Sequence, residues 1–396
     1  MKRFVVIILI NLFVLSLYAS YRVFTIQSVE GVPINVTYES GNTVLIGKRY
    51  DSSTFANAVS TDVSGSITIP SEVDLGISSS LFRVNKIGDN AFKDCSLITK
   101  ITLPESLNEF DYSIGEGAFE GCANLMEINI PSELKYLPSS VFKGCESLTS
   151  ITIPAKVTDI GSYAFEGCTK LTSLLIPNSV LYLGNGVFKN CTGLTSITIP
   201  ERVTSIGANV FEGCTGLTSI TIPEGVTSIG AGAFKDCKNL TSVIIPSSVT
   251  SIGANAFEGC TGLTSIAIPE GVTSIGAGAF TGCSGLKSLV LPNTLTNIVD
   301  KAFEGFVSLT SITLPSNLTR IGKYAFSGCT SLSYVNMNNC PALIDEYAFK
   351  GCENLSDVEW SVTIERWAFE NCSSLKKIVI PTTLQTFHLY AFSGCI

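Results

Sequence analysis

LTSITIPEGVTSIGAGAFKDCKN, residues Leu217 to Asn239, contains the fold of this chain in miniature. Leu217, Ile220 and Ile222 are apolar, while Ser219 and Thr221 alternate with them at the period of two expected of a half-buried strand. Pro223 lacks an N–H for a ladder and ends that strand. Val226 and Ile229 give a second inward pair before Gly230, which permits a bend. Ala233 and Phe234 then predict a short helical or 3₁₀ turn across the back, the small residue leaving room for the ring.

The same pattern recurs along most of the chain. Ala-Phe or Val-Phe places its phenylalanine at 92, 119, 142, 165, 188, 211, 234, 257, 280, 303, 326, 349, 369 and 392, and eleven of those thirteen intervals are 23 residues. The template is L-x-x-I-x-I-P-x-x-V-x-x-I-G-x-x-A-F-x-G-C-x-x. Four extra residues stand between Leu107 and Ile114, and three are missing after Trp360, as loops of a stacked solenoid tolerate. Each repeat contributes one short strand to a parallel sheet. Two positions after every repeat phenylalanine comes Gly, Asp or Asn, residues that enter left-handed geometry cheaply, so this column caps each back-side turn.

These residues resemble the BspA-type leucine-rich repeat of surface proteins in host-associated bacteria and protists. The resemblance covers about Ile67 to Ile396. It implies a repeat solenoid, a leucine-rich-repeat curved superhelix with short turns or 3₁₀ helices behind the sheet, displayed outside the cell. In several members it also implies binding to host matrix proteins or other cells, and it carries no catalytic residue to transfer.

Composition agrees with a folded, exported chain. Across 396 residues, hydrophobic residues make up 45% and charged residues 15%, too apolar for disorder. A net charge of -8 argues against nucleic acid and anionic membranes as partners. His388, the single histidine, leaves the commonest general base and metal ligand scarce. No nucleophile, base and orienting group can be assembled, and no phosphate-binding loop is present, so neither an enzyme nor a cofactor is expected. Residues 1–20 read as an export signal: Lys2 and Arg3, an apolar stretch from Phe4 to Tyr18, then Ala19 and Ser20. That stretch is short for a bilayer span, and no later run is long enough. The expected organisation is a signal peptide over 1–20, an N-terminal β cap over 21–62, and a solenoid of about 14 repeats over 63–396 without a clear C-terminal cap. Within the cap, Ile34 to Thr37 and Thr43 to Ile46 flank Glu39-Ser40-Gly41-Asn42 as a hairpin does.

Thirteen of fourteen cysteines lie three residues after the repeat phenylalanine, and Phe306 takes the one exception. A column that accepts Cys or Phe is apolar and buried. Free buried thiols are therefore expected ahead of a bridged ladder, and zinc binding less still, because a linear column does not converge on one point. Cys340 stands off register, in Asn338-Asn339-Cys340-Pro341, and is the candidate exposed, reactive thiol. The residue after the phenylalanine alternates in sign from Lys93 to Glu258, predicting weak ion pairs between rungs.

Outward strand positions in the middle repeats are uniformly Ser and Thr. Later repeats differ: Lys287 beside Ser288 and Val290, then Tyr334 and Asn336, Asp357 and Glu359, and Lys377 with Val379. Tyrosine and mixed charge are what specific interfaces use, so Lys287, Tyr334, Asn336, Asp357, Glu359 and Lys377 are the candidate partner-binding residues. Trp360 falls on an inward isoleucine position and reads as core. The expected function is a secreted or cell-surface binding or adhesion protein whose sheet face meets a protein or glycan on a host or neighbouring cell. The alternatives are a passive structural scaffold and a binder of a regular surface such as ice or a crystalline polymer. Leu375, Ile378 and Ile380 form the last strand of the template; its edge either pairs end to end with another copy or is covered by Thr382 to Ile396.

Overall fold

The computed structural model describes residues 23–38, 43–49, 55–109, 112–337, 340–358, 363–376 and 386–395. The expected export signal, Trp360, Ile378 and Ile380 lie outside these residues. The chain forms two compact units, Met1–Gly193 and Leu194–Ile396.

In the first unit, Val23–Gln27 pairs antiparallel with Pro33–Tyr38, which pairs antiparallel with Thr43–Ile46. Ile34, Val36, Val44 and Ile46 are fully buried, so the hairpin holds its apolar face inward. Thr43–Ile46 then pairs parallel with Phe82–Ile87, and Ile87 bridges Ile114 in the following rung. A separate parallel set joins Gly65–Thr68 to Ile98–Thr102 and on to Glu127–Ile128. The turn before Pro33 lies against the edge of that set: the Glu30 carboxylate accepts the Thr68 N–H at 2.8 Å and its hydroxyl at 2.6 Å. Those bonds hold the Glu30 pKa below the usual value despite slight desolvation. A 3₁₀ helix, Glu105–Glu109, begins just before the sequence stretch that carries the four extra residues.

The second unit shows the repeat most regularly. Ser219–Thr221 pairs parallel with Ser242–Ile244, and Leu217, Ile220 and Ile222 point into the core at 0 to 5% exposure. The structure adds a second, two-residue strand to each rung. Ser228–Ile229 lies between Ser205–Ile206 and Ser251–Ile252, directing Ile229 inward. On this column the Thr250 hydroxyl donates to the Thr227 carbonyl at 3.2 Å, and Thr273 to Thr250 at 3.4 Å, so an exposed threonine ties its rung to the one before.

Gly230 does a different job from the one its sequence suggests. Its φ is not left-handed. A Cβ there would sit 2.6 Å from the Gly207 carbonyl carbon and 2.7 Å from the Ala208 nitrogen, so the glycine lets neighbouring backbones touch.

The back of each rung is a run of overlapping turns. Lys235 N–H donates to Gly232 and Cys237 N–H to Phe234 inside the rung, whereas Gly232, Phe234 and Asp236 donate at 2.7 to 2.9 Å to Ala254, Ala256 and Glu258 of the next. N–H groups can alternate between these two destinations because Gly232 and Asp236 have φ of 62° and 57°. The column two after the phenylalanine is thus left-handed, as its Gly, Asp and Asn content predicts. A second left-handed column stands two residues before the phenylalanine.

Phenylalanine rings fill the space between these turns and the strands. Phe234 is fully buried and stacks on Phe211 at 5.3 Å and on Phe257 at 5.1 Å, nearly parallel to both. On the outside, Lys143 meets Glu166 at 3.0 Å, Lys235 meets Glu258 at 2.9 Å, and Lys350 meets Glu370 at 2.8 Å. Such partly exposed pairs contribute roughly 0.2 to 1 kcal/mol each, a small term beside the buried rings.

Candidate functional site

Strand alternation in the second unit sends Leu289, Val335 and Val358 into the core and leaves their neighbours on one outer face. Parallel pairing aligns Ser311 with Tyr334, Tyr334 with Asp357, and Thr313 with Asn336. Lys287 and Asp357 are exposed; Tyr334 and Asn336 are half-buried. The structure therefore sets Tyr334 beside Asp357 on adjacent rungs, with Asn336 at the far end of the Tyr334 strand. Lys287 stands two rungs earlier, next to Ser288. Glu359 and Lys377 lie outside the described residues. Ile244 and Val290, at 70% and 63% exposure, add apolar surface to the same face.

This face is not continuous. Ser242–Ile244 and Ser265–Ala267 do not pair with each other, and the same break recurs next to Lys287, between Ser288–Val290 and Ser311–Thr313. A shallow groove of about 360 Å³ opens there, with Lys287, Ser288, Val290, Ser311 and Pro315 among its walls.

All fourteen cysteines are free thiols. In-register cysteines donate an S–H to the phenylalanine carbonyl of the preceding rung: Cys237 to Phe211 and Cys260 to Phe234, each at 3.1 Å. Beyond filling space as small hydrophobes, they make a weak bond that Phe306 forgoes, packing instead edge-on against Phe303 at 5.6 Å. Burial pushes several of these thiols up, to about 11 at Cys95 and about 12 at Cys191 and Cys260.

Cys340 corrects the sequence expectation. It is only 2% exposed, and burial raises its pKa as well. Pro341 falls on the template position of Val226 but faces solvent, and its neighbours Cys340 and Ala342 are buried instead. A polar alkylating reagent should therefore leave Cys340 and the in-register cysteines from Cys95 to Cys352 unmodified in the native protein. Denaturation without reductant should make all of them reactive. Fast native labelling of Cys340, located by peptide mapping, would contradict its burial.

The model of the BspA type leucine rich repeat region matches residues 85–217, 182–305 and 273–396, in six copies. The chain belongs to the BspA-type leucine-rich repeat family. Among solved structures it is similar to a leucine-rich repeat protein from Bacteroides ovatus, with 28% identity and a TM-score of 0.66, covering 90% of this chain and 97% of that one. It is also similar to a leucine rich cell surface protein from Faecalibacterium prausnitzii, with 26% identity and a TM-score of 0.59, covering 95% and 98%. A leucine-rich repeat protein from Eubacterium ventriosum, 23% identical at a TM-score of 0.52 over 91% and 92% of the two chains, shares the fold. No curated protein matches this chain.

One feature of this BspA-type solenoid escaped the sequence. The left-handed column two residues before the phenylalanine holds Gly232, Asn255 and Gly278, but later Tyr324, Tyr347, Trp367 and Tyr390, with φ of 59°, 63°, 58° and 65°. Those four rings stack in order at 4.9, 5.3 and 5.8 Å, within 9° of parallel. Lys350 sits 5.1 Å from the Tyr347 ring centre. A bulky residue in this region costs about 1 kcal/mol or more, and each stacked pair returns roughly 0.5 to 1.5 kcal/mol, so the stack offsets much of the strain. The signal lay in the glycines and asparagines of Gly117, Asn209, Gly232 and Asn255, which share that register with the aromatics.

Proposed function

We propose that this BspA-type repeat protein is an extracellular or cell-surface binding protein that presents the strand face of its second unit to a protein or glycan partner. The observation that carries this reading is the departure from the Ser and Thr pattern at Lys287, just before Ser288–Val290, and again at Tyr334, Asn336 and Asp357 beyond the intervening Ser311–Thr313 strand, with Tyr334 and Asp357 aligned. Tyrosine and paired charge raise discrimination where a uniform hydroxyl face offers little. Glu359 and Lys377 extend the proposed row by sequence. Export rests on the apolar leader over 1–20. Among the described residues no helix is long and apolar enough to cross a membrane. The similar Faecalibacterium prausnitzii protein is a cell surface protein by name.

Among the described residues no group of three or more His, Cys, Asp or Glu is placed to hold a metal ion. The proposed activity is recognition, without a catalytic step.

The purified chain should bind saturably to at least one immobilised matrix protein or glycan. Replacing Tyr334→Ser and Asp357→Ser together should weaken that binding by roughly tenfold or more while leaving the melting temperature nearly unchanged. Equal binding by the double variant would move the contact away from this face. Absence of saturable binding to any of the ligands would favour a passive scaffold.

A further inference from the structure

Two hydrogen-bond ladders run side by side just ahead of the outward strands of the second unit. In the backbone ladder, Thr241 N–H donates to the Thr218 carbonyl at 3.0 Å, Thr264 to Thr241 at 3.4 Å, and Lys287 to Thr264 at 3.2 Å. In the side-chain ladder, the Thr241 hydroxyl donates to the Thr218 carbonyl at 3.1 Å and the Thr264 hydroxyl to Thr241 at 3.5 Å. Both stop at Lys287. Thr310, in the next rung, gives neither its N–H nor its hydroxyl to the Lys287 carbonyl. Both ladders resume one rung later, where Ser333 donates to the Thr310 carbonyl from its N–H at 2.9 Å and its hydroxyl at 3.0 Å.

The groove lies at this double break. Lys287 is the one charged residue among those lining it, and among the described residues it makes no ion pair. Glu270, the acidic residue that reaches toward the groove, is already engaged: its carboxylate accepts the Asn293 N–H at 2.8 Å and its side-chain amide at 3.1 Å. Val290 and Pro315 supply short apolar walls, and Ser288 and Ser311 supply hydroxyls from opposite rungs.

We propose that this opening is a subsite for an acidic sugar residue, its carboxylate on the Lys287 ammonium and its ring hydroxyls on Ser288 and Ser311. The inference rests on the reading of this face as the partner-binding surface and names the chemistry it takes. An unpaired cation beside hydroxyls complements a group that carries one carboxylate among many hydroxyls. The small apolar walls suit the C–H faces of a pyranose. An extended peptide would pair with the unpaired edges of these two strands, but each is only three residues long, and only an acidic peptide would also meet the Lys287 ammonium.

The test is calorimetric titration of the whole chain with a glucuronic acid trisaccharide and, separately, with the matching neutral glucose trisaccharide. The acidic probe should bind at least about tenfold more tightly at low salt, and Lys287→Met should bring the two to equal affinity. Lys287→Arg should keep the preference. Thr310→Val, with both probes, serves as a neighbouring change that leaves the charge in place and should retain the acidic preference. Equal binding of the two sugars by the unaltered chain would overturn the proposal, as would a preference that survives Lys287→Met. A glutamate pentapeptide competing as well as the acidic sugar would also overturn it, in favour of an acidic peptide. If matrix or glycan binding depends on Tyr334 and Asp357 but shows no acidic preference, only this subsite fails. Absence of saturable binding to any ligand would remove the wider reading as well.

Discussion

Phe234→Ala should cost the second unit about 3 to 5 kcal/mol, the range for removing a fully buried aromatic ring and leaving a cavity. The ring is 0% exposed and loses its stacking partners on both sides, Phe211 at 5.3 Å and Phe257 at 5.1 Å. The cavity cannot close easily, because the turn behind it is held by the Phe234 N–H on the Ala256 carbonyl at 2.7 Å and by its neighbours in the same ladder. Repeat arrays couple mainly through nearest neighbours, so damage should concentrate in the rungs around residue 234. Chemical denaturation gives the magnitude, and limited proteolysis with mass mapping gives the place. A cost below about 1 kcal/mol would mean that the ring does not support the core.

Gly230→Ala should cost about 1 to 3 kcal/mol, the usual penalty of forcing an extra methyl into packed surroundings. The neighbours are backbone atoms of Gly207 and Ala208, which cannot rotate aside as a flexible side chain does. Relief requires the rungs to separate, which stretches the bond from the Gly230 N–H to the Ile206 carbonyl, 2.8 Å in the native chain. In the variant, hydrogen exchange of the amide at position 230 should accelerate more than at Ile220 in the preceding strand of the same rung. Asp345, Glu365 and His388 carry side chains in the same template column of other rungs and keep the corresponding bond at 2.9 to 3.0 Å, so the cost at Gly230 is set by its own close neighbours, Gly207 and Ala208. Unchanged stability and exchange would show that this spacing is elastic throughout the unit.

Much of the fold is legible because its driving force is readable from residue type. Leu217, Ile220, Ile222, Val226, Ile229 and Phe234 recur at one spacing, and burial follows from apolar side chains brought to one side by the period of the strand. The cysteine column is legible for the same reason: Phe306 in a cysteine position already implies an apolar environment. The left-handed column after the phenylalanine is legible because only Gly, Asp and Asn occupy it. The candidate face is legible in part, since alternation places Tyr334 and Asp357 outward, while their alignment comes from the pairing of their strands.

Other features depend on contacts between rungs that are distant in sequence. Cys340 and Ala342 are buried on either side of an exposed Pro341, an arrangement that composition does not reveal. Tyr324, Tyr347, Trp367 and Tyr390 take a backbone geometry that their side chains disfavour in isolation. Stacking on neighbouring rungs and N–H groups reaching across the turn make it tolerable. The opening after Lys287 exists because Thr310, though it carries the N–H and the hydroxyl that its column uses elsewhere, does not reach the preceding carbonyl. By itself the sequence determined the repeat length, the inward columns and the chemistry available on each face, because these follow from local residue type and period. Only the tertiary structure decided which backbone groups meet, which columns are left-handed and where the sheet parts, because those outcomes depend on sub-ångström spacing between rungs built from residues 23 positions apart.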